Sequence, residues 1–197
     1  MAKATGAQNA VTPSAEGIEA SIRAAKGRGL PPVHLWNPDF SGDIDMRIAR
    51  DGTWLYEGTP IARAELVRLF STILKKEDGR YYLVTPVQKA GITVEDAPFI
   101  AVDFETAGEG DARVLTFTTN VGDTVEAGPD HEIRVERDEE TGEPSPYLHV
   151  RAGLEALIDR KSFYRLAELG EHRDGWFGVT SGGAFFQMIP SDELPAS

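Results

Sequence analysis

One short pattern occurs twice in this chain, and it restricts the fold more than any other feature. Pro60-Ile61-Ala62-Arg63 followed by Leu66-Val67-Arg68-Leu69 returns as Leu157-Ile158-Asp159-Arg160 followed by Phe163-Tyr164-Arg165-Leu166. Val84-Thr85 with Val179-Thr180, and Gly52 with Gly153, extend the correspondence on either side. Self-similarity of this kind means one supersecondary unit used twice. The chain therefore has to be read as a pair of related pieces.

The surroundings of each copy say what the piece is. Ile44, Met46 and Ile48 alternate with Asp45 and Arg47, as in a half-buried strand, and Asp51-Gly52 turns the chain into a return through Trp54 and Tyr56. Thr59 as cap and Pro60 in a first turn predict a helix, whose stripe is Leu66, Leu69, Phe70, Ile73 and Leu74. Asp78-Gly79 then separates the helix from two strands, Tyr81 to Thr85 and Val87 to Glu95. The second copy repeats the order. Leu148 and Val150 make a strand, Leu154 to Leu157 a return, Asp159 to Leu169 a helix, and Trp176 to Met188 a hairpin about Gly182-Gly183. Each copy reads ββαββ.

Between the copies lie strand candidates at Phe99 to Phe104, Val114 to Thr119 and Ile133 to Val135. The acidic run Glu136 to Glu143 reads as a solvated hairpin tip. The expected fold class is α+β, in two small domains with the C-terminal half strand-rich. Residues 1–13 are expected to be a disordered leader, 14–95 an N-terminal domain, 96–190 a C-terminal domain and 191–197 a tail. Within the first domain, Ser14 caps a weakly amphipathic arm helix carrying Ile18 and Ile22. Lys26-Gly27-Arg28-Gly29 is a linker, and Pro31-Pro32 forces an extended segment through Trp36.

Composition removes whole classes of function. The 197 residues hold 20 basic and 32 acidic side chains, a formal net charge of −12. Polymeric nucleic acid and anionic membranes are poor partners for such a field, although arginines in a dry cleft can still hold one phosphate. With no cysteine there is no disulfide, thiolate metal site or cysteine nucleophile. No apolar export segment or membrane span is visible, so a cytoplasmic location is expected.

Enzymatic signatures fail one by one. Gly178-Val179-Thr180-Ser181-Gly182 lacks nucleophile-elbow spacing, and Ser181-Gly182-Gly183 is a hairpin turn before it is a phosphate loop. The four histidines, His34, His131, His149 and His172, make no ligand pair at helical or strand spacing. The aspartates at 39, 43, 45 and 51 lack a calcium-loop register. No catalytic residue, metal or cofactor is assigned.

Eight residues remain as binding candidates. Arg47, Arg63, Arg151 and Arg160 recur at matching places in the two copies, and the cations at helix starts oppose the helix dipole and need partners. Those partners are carboxylates in one reading and a ligand phosphate in the other. Trp36 and Tyr164 can stack on a base or pack in a core, and Asn37 and Asn120 can read polar edges or close turns.

Many ordered motifs also carry a resemblance. Pro32-Val33-His34-Leu35-Trp36-Asn37-Pro38, Asp45-Met46-Arg47-Ile48, Gly58-Thr59-Pro60-Ile61-Ala62-Arg63, Leu83-Val84-Thr85-Pro86-Val87, Val94-Glu95-Asp96-Ala97-Pro98-Phe99 and Arg151-x-Gly153-Leu154-Glu155-Ala156-Leu157 resemble the bacterial family known as domain of unknown function 1285. The likeness runs from about residue 31 to 188. It implies two small domains with a repeated motif, the C-terminal one loosely similar to pleckstrin-homology folds. It further implies a nucleotide-like ligand at the domain interface and a role in signalling, and brings no catalytic residues with it. Gln88 stands where the resemblance leads one to expect glutamate.

Three functions follow as expectations. The first is a ligand-binding or regulatory module for a small anionic, nucleotide-like molecule held between the repeats by the eight candidates. The second is a protein–protein interaction module without a small ligand. The third is a hydrolase or transferase with an unrecognised site. Arginines gathered in a concave site favour the first, and arginines tied to carboxylates beside exposed apolar surface favour the second.

Overall fold

The computed structural model describes residues 12–24 and 29–194. Most of the expected leader, part of the 26–29 linker and the end of the expected tail lie outside them. The chain forms two compact units. One comprises the residues up to Arg47 with Trp54–Thr93, and the other Ile48–Thr53 with the residues from Val94 onward. The fold is α+β and strand-rich, as the alternation of apolar residues requires.

The first unit begins with helix α1 (Ala15–Ala24), where the Gly17 N–H donates to Ser14 Oγ at 3.2 Å. Its apolar edge, Ile18 and Ile22, is buried against helix α2 (Ala64–Ser71). Residues 33–35 close a single 3₁₀ turn instead of the expected extended segment. Pro31 and Pro32 lend their carbonyls to the Val33 and Leu35 N–H groups at 2.8 and 2.9 Å.

Six strands follow: β1 (Phe40–Ile48), β2 (Trp54–Tyr56), β3 (Thr59–Pro60), β4 (Leu74–Glu77), β5 (Arg80–Val84) and β6 (Lys89–Val94). Thr59 and Pro60 thus belong to a strand and not to a helix start. Glu57 and Gly58, at φ 49° and 75°, form a tight turn that folds Thr59 and Pro60 back onto Tyr56 and Leu55. The helix begins four residues later, with Arg63 as its N-cap.

That delay turns the helix. Phe70 is fully buried and stacks on Trp54 at 6.4 Å, whereas the expected core residue Leu69 is half-buried. In helix α3 (Arg160–Glu168) Leu166 is fully buried and Phe163 half-buried. Phe70 therefore occupies the place that sequence matching gave to Leu69, a slip of one residue between the copies.

The second unit contains β7 (Phe99–Ala107), β8 (Val114–Thr119), β9 (Thr124–Glu126), β10 (Ile133–Arg137), β11 (Pro144–Arg151) and β12 (Leu154–Ile158). After α3 come β13 (Glu171–Arg173), β14 (Trp176–Ser181) and β15 (Ala184–Pro190), which make a separate three-stranded sheet. The ββαββ order thus occurs twice within longer runs, β1-β2-β3-α2-β4-β5-β6 and β11-β12-α3-β13-β14-β15, with three strands after each helix and Leu74 opening β4 instead of closing the helical stripe. The sheets differ, however. The first run lies in one sheet, while the second is divided between two.

A second correspondence is visible only in the hydrogen bonding. The sheets run β3-β2-β1-β6-β5-β4 and β10-β11-β12-β7-β8-β9. Each places its first and last strands side by side at the centre, with a three-stranded meander on either flank. The central pairs are parallel. Ala156 to Ile158 pair with Phe99 to Ala101, and Ser41 and Ile48 lie beside Lys89 and Glu95.

In the second unit the three-stranded sheet is fastened by a buried hydroxyl. Ser181 Oγ accepts the Leu115 N–H and donates to the Ala127 carbonyl, both at 2.8 Å. The turn that follows, Gly182-Gly183, has φ 58° and 77° and joins β14 to β15 as a tight hairpin. Arg165 pins α3 to β7, donating to the Phe104 carbonyl at 2.9 Å and pairing with Asp103.

Candidate functional site

Arg63, Arg151 and Arg160 sit against carboxylates. Arg63 lies 3.4 Å from Glu19 and Arg160 2.9 Å from Glu143, both largely in solvent. Arg151 pairs with Asp123 and covers the Phe99 ring at 5.0 Å. Arg47 projects from the exposed side of β1. Asn120 serves its turn. Its Oδ1 accepts the Ile100 N–H at 3.0 Å while its own N–H donates to the Ile100 carbonyl at 2.8 Å. Tyr164 is 61% exposed and, with Arg160, Arg50, Phe163 and Glu143, lines a groove of about 450 Å³ in the second unit. Its two arginines face Asp138 and Glu143, so its charge balances.

His131 and His149 act on backbone, and His172 Nδ1 meets Ser191 Oγ at 2.8 Å. His131 and His149 stack at 5.8 Å, a pairing their spacing along the chain hides. His131 Nδ1 meets the His149 carbonyl at 3.1 Å, His149 Nδ1 meets the Asp130 carbonyl at 2.9 Å, and the Gly153 N–H donates to His149 Nε2 at 3.1 Å. Among the described residues no group of three or more His, Asp or Glu is placed to hold a metal ion.

Trp36 and Asn37 do come together, on a cation that sequence reasoning missed. Lys75 Nζ donates to the Trp36 carbonyl and to Asn37 Oδ1, each at 3.2 Å, and lies 2.9 Å from Glu77 Oε1. The other Glu77 oxygen pairs with Lys89. Lys75 and Lys89 have side-chain exposures of only 18% and 20%, so two largely covered lysines share one carboxylate. Their hydrogen bonds, that from Lys89 foremost, hold the Glu77 carboxyl below the usual carboxylate range.

Register explains the gathering. Lys75 opposes Tyr82, Glu77 opposes Arg80, and Lys89 opposes Val84, which puts the side chains of Lys75, Glu77, Arg80, Tyr82 and Lys89 on one face. Lys89 Nζ stands 4.5 Å from the Tyr82 ring centre and the Arg80 guanidinium 5.4 Å from it. Arg80 pairs with Asp43 at 3.0 Å. Three cations, Lys75, Lys89 and Arg80, thus face two carboxylates, Glu77 and Asp43. Asp45 and Arg47, farther along β1, add one charge of each sign, and Asp39 pairs with no cation among the described residues. The same end of the sheet exposes Leu35, Val87 and Phe40, at 70%, 70% and 52%.

Lys75 and Lys89 carry no signal of this site in their spacing. Each lies on the polar side of its strand's alternation, beside buried Leu74 or Ala90, so spacing does not single it out and only the pairing register shows that they meet.

Residues 31–97 match the family model described as domain of unknown function (DUF1285), N-terminal domain. Residues 98–188 match protein of unknown function (DUF1285), C-terminal domain. The chain is similar to the crystal structure of a DUF1285 family protein from Silicibacter pomeroyi DSS-3. That likeness is 66% identity over 90% of this chain and 97% of that one, with a TM-score of 0.85. A DUF1285 family protein from Shewanella baltica OS155 is 31% identical over 62% of this chain and 90% of that one, with a TM-score of 0.50. No curated protein matches.

Proposed function

The chain belongs to the DUF1285 family, and from that premise we propose that it is a non-catalytic, regulatory binding module for a small anionic ligand, held in the first unit. One observation carries the reading. Lys75 and Lys89 are mostly buried on a single carboxylate, with Arg80 on the same face, in a protein of net charge −12. Two cations on one carboxylate repel each other, and an anion that completes the set relieves that repulsion. The expected arginine sites lend no such support, since Arg63, Arg151 and Arg160 have carboxylate partners.

Binding to the native state alone stabilises it by RT ln(1 + [L]/Kd). Inorganic phosphate or acetate should therefore raise the melting temperature above that in chloride at equal ionic strength, and Lys89→Gln should erase the difference. Equal melting temperatures in all three salts would remove the reading.

A second reading, protein–protein docking, draws on the exposed Leu35, Val87 and Phe40. A photo-crosslinker at position 87 should then capture one discrete protein from cell extract, and a spread of weak adducts would count against it.

A further inference from the structure

Resting on the anion-binding reading above, we infer that the ligand is amphipathic: one carboxylate or phosphate group on a flat aromatic body. Lys89 and Arg80 are the two cations with donors to spare. An ammonium has three N–H groups and a guanidinium five. Lys75 spends its donors on the Trp36 carbonyl, Asn37 and Glu77, whereas Lys89 has Glu77 as its single acceptor among the described residues. Arg80 gives one Nη to Asp43 and keeps its Nε and other Nη unused.

Both of these cations stand against the Tyr82 ring, and Phe40 meets the same ring edge-on at 6.2 Å and 81°. The Arg80 guanidinium also lies 5.8 Å from the Phe40 ring centre. Phe40 is half in solvent although its edge contact holds its orientation. An exposed, oriented ring beside cationic donors that no acceptor among the described residues takes presents two surfaces at once. One suits an anion through charge-assisted hydrogen bonds, the other a planar apolar group through stacking. A bare inorganic anion uses only the first. A neutral aromatic uses only the second and leaves the Lys89 and Arg80 donors unused.

Calorimetric titration of the full chain at fixed ionic strength tests this with matched probes. Benzoate should bind at least tenfold more tightly than acetate, or adenosine monophosphate at least tenfold more tightly than inorganic phosphate. Whichever pair shows the gain identifies the anionic group. Adenosine should bind far more weakly than adenosine monophosphate. Phe40→Ala, a change at an exposed ring, should erase the tenfold gain and leave acetate and phosphate binding within about twofold. Equal affinities within both pairs would overturn the amphipathic ligand while leaving a bare-anion module standing. Adenosine binding as tightly as its monophosphate would overturn the anionic requirement. No binding by any probe would remove this inference and the function beneath it together.

Discussion

Removing the Ser181 hydroxyl is the sharpest test of how the second unit is held together. Ser181 is completely buried, and its Oγ stands between two strands, accepting from the Leu115 N–H and donating to the Ala127 carbonyl at 2.8 Å each. The companion bond is direct, from the Ala127 N–H to the Leu115 carbonyl at 2.9 Å. The hydroxyl therefore replaces one rung of a ladder that has been opened to admit β14. Ser181→Ala leaves a donor and an acceptor unpaired in the interior, each costing about 1–3 kcal/mol. Partial closure of the strands recovers some of this, so a net loss of about 2–4 kcal/mol is expected. For a chain of this size that corresponds to a fall in melting temperature of roughly 5–15 °C. Urea denaturation followed by tryptophan fluorescence would report it as a lower midpoint at unchanged slope. A loss below about 0.5 kcal/mol would mean that the three-stranded sheet is not fastened through this serine.

The helix register gives a paired prediction. Phe70→Ala should cost roughly 3–5 kcal/mol and Leu69→Ala distinctly less, because only Phe70 is fully buried; the reverse order in denaturation midpoints would refute the one-residue slip. Burial, together with a 2.7 Å hydrogen bond to Asp96, pushes the Tyr147 phenol up to about 12. Its contribution is thus full below the ordinary phenol value near 10 and is lost as pH rises through about 12, so ultraviolet titration should show one tyrosine ionising late. Ionisation of all tyrosines together near 10 would contradict the placement. Gly52 has φ 86°, and a Cβ there would lie 2.7 Å from both Asn120 Nδ2 and Ile100 Cγ1. Gly52→Ala should lower the melting temperature by several degrees, and an unchanged value would mean that the turn yields.

Periodicity made the strands and helices legible because burial on one face writes itself into spacing. Ile44, Met46 and Ile48 are buried as their alternation demands, and the helix after Asp159 begins where the sequence places it, with the Asp159 carboxylate accepting the Ser162 N–H at 2.7 Å. What spacing cannot carry is pairing between distant segments. Glu57-Gly58 gives no apolar signal, so the short strand at Thr59–Pro60 passed for a helix cap. The shared strand order of the two sheets depends on β1 lying beside β6 and β12 beside β7, which no local pattern encodes.

The same limit explains the candidate site. Arginines at repeated positions looked like a ligand set, yet each of Arg63, Arg151 and Arg160 has a carboxylate from another segment, Glu19, Asp123 or Glu143. Two cations on a single carboxylate occur instead at Lys75 and Lys89, brought onto Glu77 by the β4-β5-β6 register. Trp36 and Asn37 entered as candidates through their ring and amide, but Lys75 is held by the Trp36 backbone carbonyl and the Asn37 side chain together.

Where an organic anion binds decides whether the first unit holds the ligand. In aromatic ¹H–¹³C spectra of the full chain titrated with benzoate and, separately, adenosine monophosphate, the rings of Phe40 and Tyr82 should shift with at least one of the two ligands. Phe163 and Tyr164, in the charge-balanced groove, should stay in place. Shifts confined to Phe163 and Tyr164, or none at Phe40 and Tyr82 with either ligand, would contradict a ligand site in the first unit.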